Sequence, residues 1–247
     1  MSFPDTARVN LDALKINPYP GRVIVQGAHL DDETMVQIYG ITGRSDDSRN
    51  RVLEHDGGRV FTAVADPSRP PKYPHLTIYN AMSEYCGELF VVSNGHQTDA
   101  VIDGRLRYSE GLERKLADWS YEDDSPTYTS RITGAISLNT ELPDWTQFLQ
   151  LRRETDGSRK PIAYKYVATP AGIGRCFTTY ASDGNPPPAF DGEPFVVLLD
   201  GSIDEVLEEY WSALEGDNLV SVAVKFINLR AGKSRVLVKN KREKLVA

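Results

Sequence analysis

The sequence holds few of the residues and spacings that usually announce a chemistry. Cysteine occurs only as Cys86 and Cys176, ninety residues apart, which offers no metal-type pair and suits a reduced, cytoplasmic setting. No Gly-rich phosphate loop opens a helix, and no Gly-x-Ser-x-Gly nucleophile elbow is present. No apolar run is long enough to span a bilayer, and the first eight residues lack a hydrophobic secretion segment. Positive charge is also in deficit: 28 Lys and Arg against 35 Asp and Glu give a net charge of −7. Nucleic acid and membrane surfaces are therefore not expected partners, and an anionic ligand would need a local cluster of Arg.

What is present is ample apolar content in 247 residues, with no internal repeat and no linker-like stretch. A single domain with a real core follows. Its organising stretch is Phe90–Asp99. Leu89 to Val92 form a continuous apolar run, the mark of a strand covered on both faces, and Asn94-Gly95 then predicts a tight polar turn. A hydroxyl, an amide, an imidazole and a carboxylate follow at the strand end, where small-ligand sites are commonly built.

Residues 1–19 read as an irregular lead-in ending in Asn17-Pro-Tyr-Pro. Strands are expected at 22–26, 33–42, 60–65, 75–80, 89–92, 128–138, 145–153, 162–169, 175–180, 219–229 and 235–238. The loop Gly43–Arg51 looks too polar for the core. One helix is expected over about 105–118, with Tyr108, Leu112, Leu116 and Trp119 on one face. A second, over 202–214, opens on the capping box Ser202-x-x-Glu205 and carries Ile203, Val206, Leu207, Tyr210, Trp211 and Leu214 as its stripe. Much sheet under few helices is an α+β layout.

Several residues could carry chemistry. Arg44, Arg49 and Arg51 share one loop with Ser45 and Ser48, a set suited to phosphate, although Asp46 and Asp47 could neutralise it. Arg131 is a charge inside a β-rich run, so it faces solvent or answers a carboxylate or ligand. Tyr79-Asn80 ends an apolar stretch, His96 could titrate near neutrality, and Cys176 reads as a small apolar filler.

In order, Gly43-Arg-Ser…Asn50-Arg51, Tyr79-Asn80, Val91-Val-Ser-Asn-Gly-x-x-Thr-Asp99, Tyr121-Glu-x-Asp124…Thr129-x-Arg-Ile132 and Asp183-Gly-Asn-Pro…Gly192-Glu-Pro194 resemble the archaeal-type IMP cyclohydrolase family. The resemblance covers about residues 20–195. Where that family tends to read Ser-Arg-Ser-Phe-Pro-Asn-Arg, this chain is longer by two and more acidic, and its Thr-Pro-Arg is Thr129-Ser-Arg131. The resemblance implies a four-layer αββα sandwich of two mainly antiparallel sheets, like that of N-terminal-nucleophile hydrolases. It implies closure of 5-formamidoimidazole-4-carboxamide ribotide to inosine monophosphate with loss of water, a reaction needing no metal or organic cofactor. It assigns catalysis to Tyr79, Glu122 and Asn94, and binding of the purine ribotide to Arg44, Ser45, Arg51, Asn80, Asp99 and Arg131. An amidohydrolase of the same fold and a non-catalytic nucleotide-binding protein stay open, as does a homo-oligomer.

Overall fold

The computed structural model describes residues 2–31, 33–104, 111–138, 145–167 and 169–245. In order, the elements are α1 (Phe3–Ile16), β1 (Arg22–Ala28), β2 (Thr34–Thr42), α2 (Asp46–Arg49), β3 (Arg51–Asp56), β4 (Arg59–Val64), α3 (Pro74–Thr77), β5 (Asn80–Tyr85) and β6 (Leu89–Ser93). They continue as α4 (Gln97–Asp103), α5 (Leu112–Lys115), β7 (Arg131–Ser137), β8 (Trp145–Arg153), β9 (Arg159–Tyr166), β10 (Ile173–Thr178), β11 (Phe195–Leu198), α6 (Ile203–Ala213), β12 (Leu219–Asn228) and β13 (Ser234–Asn240).

The strands form two antiparallel sheets, ordered β11-β10-β1-β2-β12-β13 and β3-β4-β5-β6-β7-β8-β9. Between them lies a shared core that joins Ile24, Tyr39 and Ile41 of the first sheet to Leu53, Met82, Val92 and Phe148 of the second. α1 and α6 cover the outer face of the first sheet through Leu11, Leu14, Ile203, Val206 and Tyr210. α4 and α5 cover the outer face of the second through Val101 and Leu112. The expected α+β arrangement of two antiparallel sheets under few helices is what the chain adopts. Its central strands are buried on both faces, which is why they read as continuous apolar runs. No helix among the described residues is long and apolar enough to cross a membrane.

Local expectations fail in instructive places. The irregular lead-in is α1, capped by a box in which the Ser2 hydroxyl accepts from Asp5 N while Asp5 answers Ser2 N. Pro4 is tolerated in its first turn, and Ala7, Leu11 and Leu14 form its buried stripe. Of residues 75–80, 75–77 belong to the single helical turn α3 and only Asn80 to a strand, as the first residue of β5. Part of the helix expected at 105–118 lies outside the described residues; its remainder is the short α5, and α4 precedes it. β3, β5 and β11 were not anticipated. Asn94-Gly95 makes the expected polar bend, which leads into α4, but Gly95 is not at positive φ. A Cβ there would stand 2.5 Å from Nη1 of Arg131 and 2.6 Å from Oε1 of Gln97, so those two side chains would have to shift.

Candidate active site

At one end of the sandwich β1, β3, β5 and β7 begin and β2, β6 and β10 finish. The connecting loops enclose a cleft of about 290 Å³, lined by Arg22, Arg44, Ser45, Asn94, Glu122 and Thr129, among others.

Glu122 is the carboxylate at its inner wall, and only 7 % exposed. It sits in a loop without regular structure, so its position depends on local bonds. Its backbone N donates to the Thr129 carbonyl at 2.9 Å. Asp124 takes the Thr129 N at 2.7 Å and also the Thr129 hydroxyl. With that hydroxyl proton committed, Tyr180 is the donor in its 2.6 Å bond to Thr129 Oγ1. Glu122 Oε1 lies 3.4 Å from Asn94 Nδ2 and 3.7 Å from Arg131 Nη1. Burial pushes the Glu122 carboxyl up to about 7, with Arg131 opposing and Asp124 reinforcing the rise.

Asn94 has little capacity left for a ligand. Its Nδ2 donates to Ser130 O at 2.9 Å, and its Oδ1 accepts from Ile132 N at 2.8 Å and Gln97 Nε2 at 2.9 Å. It fixes the end of β6 against β7 and presents its remaining proton to Glu122. Arg131 is held similarly, donating to Gln97 Oε1 at 3.2 Å with its guanidinium 5.5 Å from the Trp119 ring. A charge inside a strand here answers a carboxylate.

Behind the cleft two cations and two phenols meet. Arg22 donates from Nη1 to Thr42 O at 2.9 Å and from Nε to the Tyr79 hydroxyl at 3.4 Å. That hydroxyl is 2.7 Å from the Tyr39 hydroxyl. Arg51, expected outside the core, is 1 % exposed as the first residue of β3. Its Nε donates to Ser48 O at 3.1 Å, whereas buried Nη1 and Nη2 have no partner among the described residues. Burial and then the Arg22 charge hold Arg51 below the usual guanidinium range.

The rim differs. Arg44 donates to Asp183 Oδ1 at 2.5 Å and Gly184 O at 2.7 Å, with its guanidinium 4.5 Å from the Tyr19 ring. Tyr19 stacks in turn on Tyr180, ring centroids 5.3 Å apart. Ser45 caps α2, accepting from Ser48 N at 3.2 Å, and lines the cleft. Asp47 also lines the cleft, and its carboxylate accepts from Lys72 N at 2.9 Å. Arg49 is spent on Gly43 O and Asn218 Oδ1.

The fold thus brings Arg44, Ser45, Asn94 and Glu122 to one cleft, with Arg51, Tyr79 and Arg131 packed around its inner end. Asn80 and Asp99, bonded to each other at 2.8 Å, instead line a neighbouring cleft of about 360 Å³ together with Tyr79 and His96. Sequence reasoning missed Arg22, Tyr39 and Tyr180. Arg22 was findable by the argument applied to Arg131, being a charge on the edge of the apolar run Val23-Ile-Val25. Tyr39 was hidden among strand residues.

A family model described as IMP cyclohydrolase-like protein matches residues 19–233. The chain belongs to the IMP cyclohydrolase-like family. The match reaches beyond residue 195, where the sequence resemblance faded, through β11, α6 and β12, so the IMP cyclohydrolase-like unit takes in most of both sheets. No curated protein matches the chain.

Proposed function

We propose that the chain is an IMP cyclohydrolase, closing 5-formamidoimidazole-4-carboxamide ribotide to inosine monophosphate. The observation that carries this reading is Glu122: a buried carboxyl near pKa 7, facing a cleft between Asn94 and Arg131. Family membership supports it.

The reaction joins a carboxamide nitrogen to a formyl carbon of the same molecule. As the bond forms, the nitrogen loses one proton and the formyl oxygen gains one, giving a ring carbon that bears hydroxyl. That hydroxyl then leaves as water while the former formamide nitrogen gives up its proton and forms the C=N bond. The nucleophile is weak, so one group must take a proton and return one. A carboxyl near pKa 7 has both forms available at neutral pH, which suits both steps. Asn94 and Arg131 are positioning residues that aim Glu122, and Tyr79 supplies a phenol at the inner end. Asn80 follows Tyr79 and, paired with Asp99 of α4, fixes the start of β5.

Arg44 and Ser45 at the rim suit the phosphate. A charge-assisted bond is worth about 1.5–3 kcal/mol, so Arg44→Ala raises the dissociation constant for inosine monophosphate at least about tenfold, and less at high salt. Incubating the protein with the formylated ribotide and following purine absorbance tests the reading. Tight inosine monophosphate binding without turnover would favour the non-catalytic alternative. An intact mass that begins at an internal Cys, Ser or Thr would favour the amidohydrolase.

A further inference from the structure

The proposed acid–base chemistry leaves Arg22 and Arg51 without a task. Buried cations are ordinarily paired, because an uncompensated charge in the interior is strongly disfavoured. Here no carboxylate is hydrogen-bonded to either guanidinium among the described residues. Arg22 has spent Nη1 on Thr42 O and Nε on the Tyr79 hydroxyl, and its Nη2 has no partner among the described residues while the side chain lines the cleft. Arg51 stands behind it with both terminal nitrogens buried and unbonded. The inner end therefore carries two positive charges whose nearby counter-charge is Glu122, yet neither guanidinium is bonded to a carboxylate and donors on both are left free for an anion that arrives with the substrate.

Two anionic groups arise on this substrate. One is the permanent phosphate, and the other is the oxygen on which charge develops when the formyl carbon is attacked. Arg51 does not line the cleft, so the inner end has no open face for a tetrahedral dianion. Glu122 shares that end, and a phosphate beside it would repel the carboxylate that must take the amide proton. The rim already offers Arg44 and Ser45. We infer that Arg22 is the catalytic donor to the developing oxyanion on the formyl carbon, with Arg51 behind it as a positioning residue that adds charge to the same seat. Attack shifts the C=O electron pair onto oxygen, Arg22 Nη2 donates to that oxygen, and the amide proton passes to Glu122. Preorganised donors of this kind act where charge appears and need no rearrangement as it does so. This assignment rests on the cyclohydrolase reading.

The seat can be tested without turnover. Xanthosine monophosphate carries an oxygen on the ring carbon that derives from the formyl group, and its base is anionic at neutral pH. Inosine monophosphate has only hydrogen there. Calorimetric titration of the parent is expected to show xanthosine monophosphate binding at least about tenfold more tightly than inosine monophosphate. Arg22→Gln should bring that ratio close to one while inosine monophosphate affinity stays within about threefold. Arg22→Lys, which keeps a charge but not the fork, should fall between. In the cyclisation assay Arg22→Gln should lower kcat by about 10²-fold or more with little change in KM.

An unchanged ratio in folded Arg22→Gln would overturn the assignment. So would equal loss of affinity for both nucleotides with kcat retained, which would make Arg22 a phosphate holder. If Arg22→Gln does not fold, Arg51→Met decides, since a ratio unmoved by losing the second cation contradicts the seat. A parent with an Arg22-dependent ratio but no turnover would keep the seat and remove the cyclohydrolase reading. Turnover with a ratio indifferent to Arg22 would do the reverse.

Discussion

Two cations are buried between the sheets, and the protein treats them in opposite ways. Lys225 of β12 has a fully buried side chain. Its ammonium donates to Gly58 O and to Glu84 Oε2, 3.1 Å away, and Glu84 also accepts from Ser234 Oγ at 2.6 Å. Burial lowers the Lys225 pKa while Glu84 pulls it back. Arg51 is as deeply buried but bonds through Nε alone, beside a second cation. A buried ion serving structure is satisfied by the chain itself. An ion left unsatisfied behind a cleft adds its charge to whatever anion the cleft receives, and the difference separates a cross-sheet tie from a support for binding.

Three substitutions put this contrast to the test. The largest effect should come from Glu122→Gln, which keeps shape but removes proton transfer; turnover should fall about 10²–10⁴-fold, measured as initial cyclisation rate. The same variant should gain stability at high pH. The folded pKa of Glu122, about 7, lies above its ordinary 4.5, so the stability present below pH 4.5 is lost as pH rises through 7. At pH 8 Glu122→Gln should therefore exceed the parent by up to roughly 3 kcal/mol in urea unfolding, with no gain at pH 4. Lys225→Met should move stability the other way, by about 2 kcal/mol, because Glu84 loses its partner but remains partly in contact with water. Its turnover should be unaffected. Arg51→Met is the smallest and most diagnostic change. Removing an unpaired buried charge should leave the unfolding free energy unchanged or raise it, by up to about 1 kcal/mol in the same urea unfolding. A drop as large as that of Lys225→Met would mean that Arg51 is structural and the contrast false.

Legibility in the sequence follows the range of the forces involved. β1, β2, β6 and β12 were readable because burial on both faces leaves continuous apolar runs, and α6 because its capping box and stripe are local. α1 was missed although its signals are also local: an Asp in place of Glu closes its box, and Asn17-Pro-Tyr-Pro masked the helix before it. Arg51 could not be placed from its neighbours. Asp46, Asp47, Ser48, Arg49 and Asn50 make the segment look solvated, and only the pairing of β3 with β4 draws Arg51 inside. Arg44 was marked by its loop of Arg and Ser, but Glu122 was legible only through family resemblance, because a site assembled from seven strand ends leaves no single spacing to read. Gly95 was noticed for the wrong reason. It lies in the bend before α4 at an ordinary φ, and its missing Cβ makes room for Arg131.

On the function proposed above, the cleft closes a purine ring with Glu122 as its proton carrier. The most direct test is the rate of purine formation from the formylated ribotide as a function of pH, in parent and Glu122→Gln. Saturable turnover is expected, with kcat/KM rising through an apparent pKa near 7 as Glu122 ionises and that limb lost along with most of the rate in Glu122→Gln. No purine formed by the folded parent, or a flat profile shared by both proteins, would contradict it.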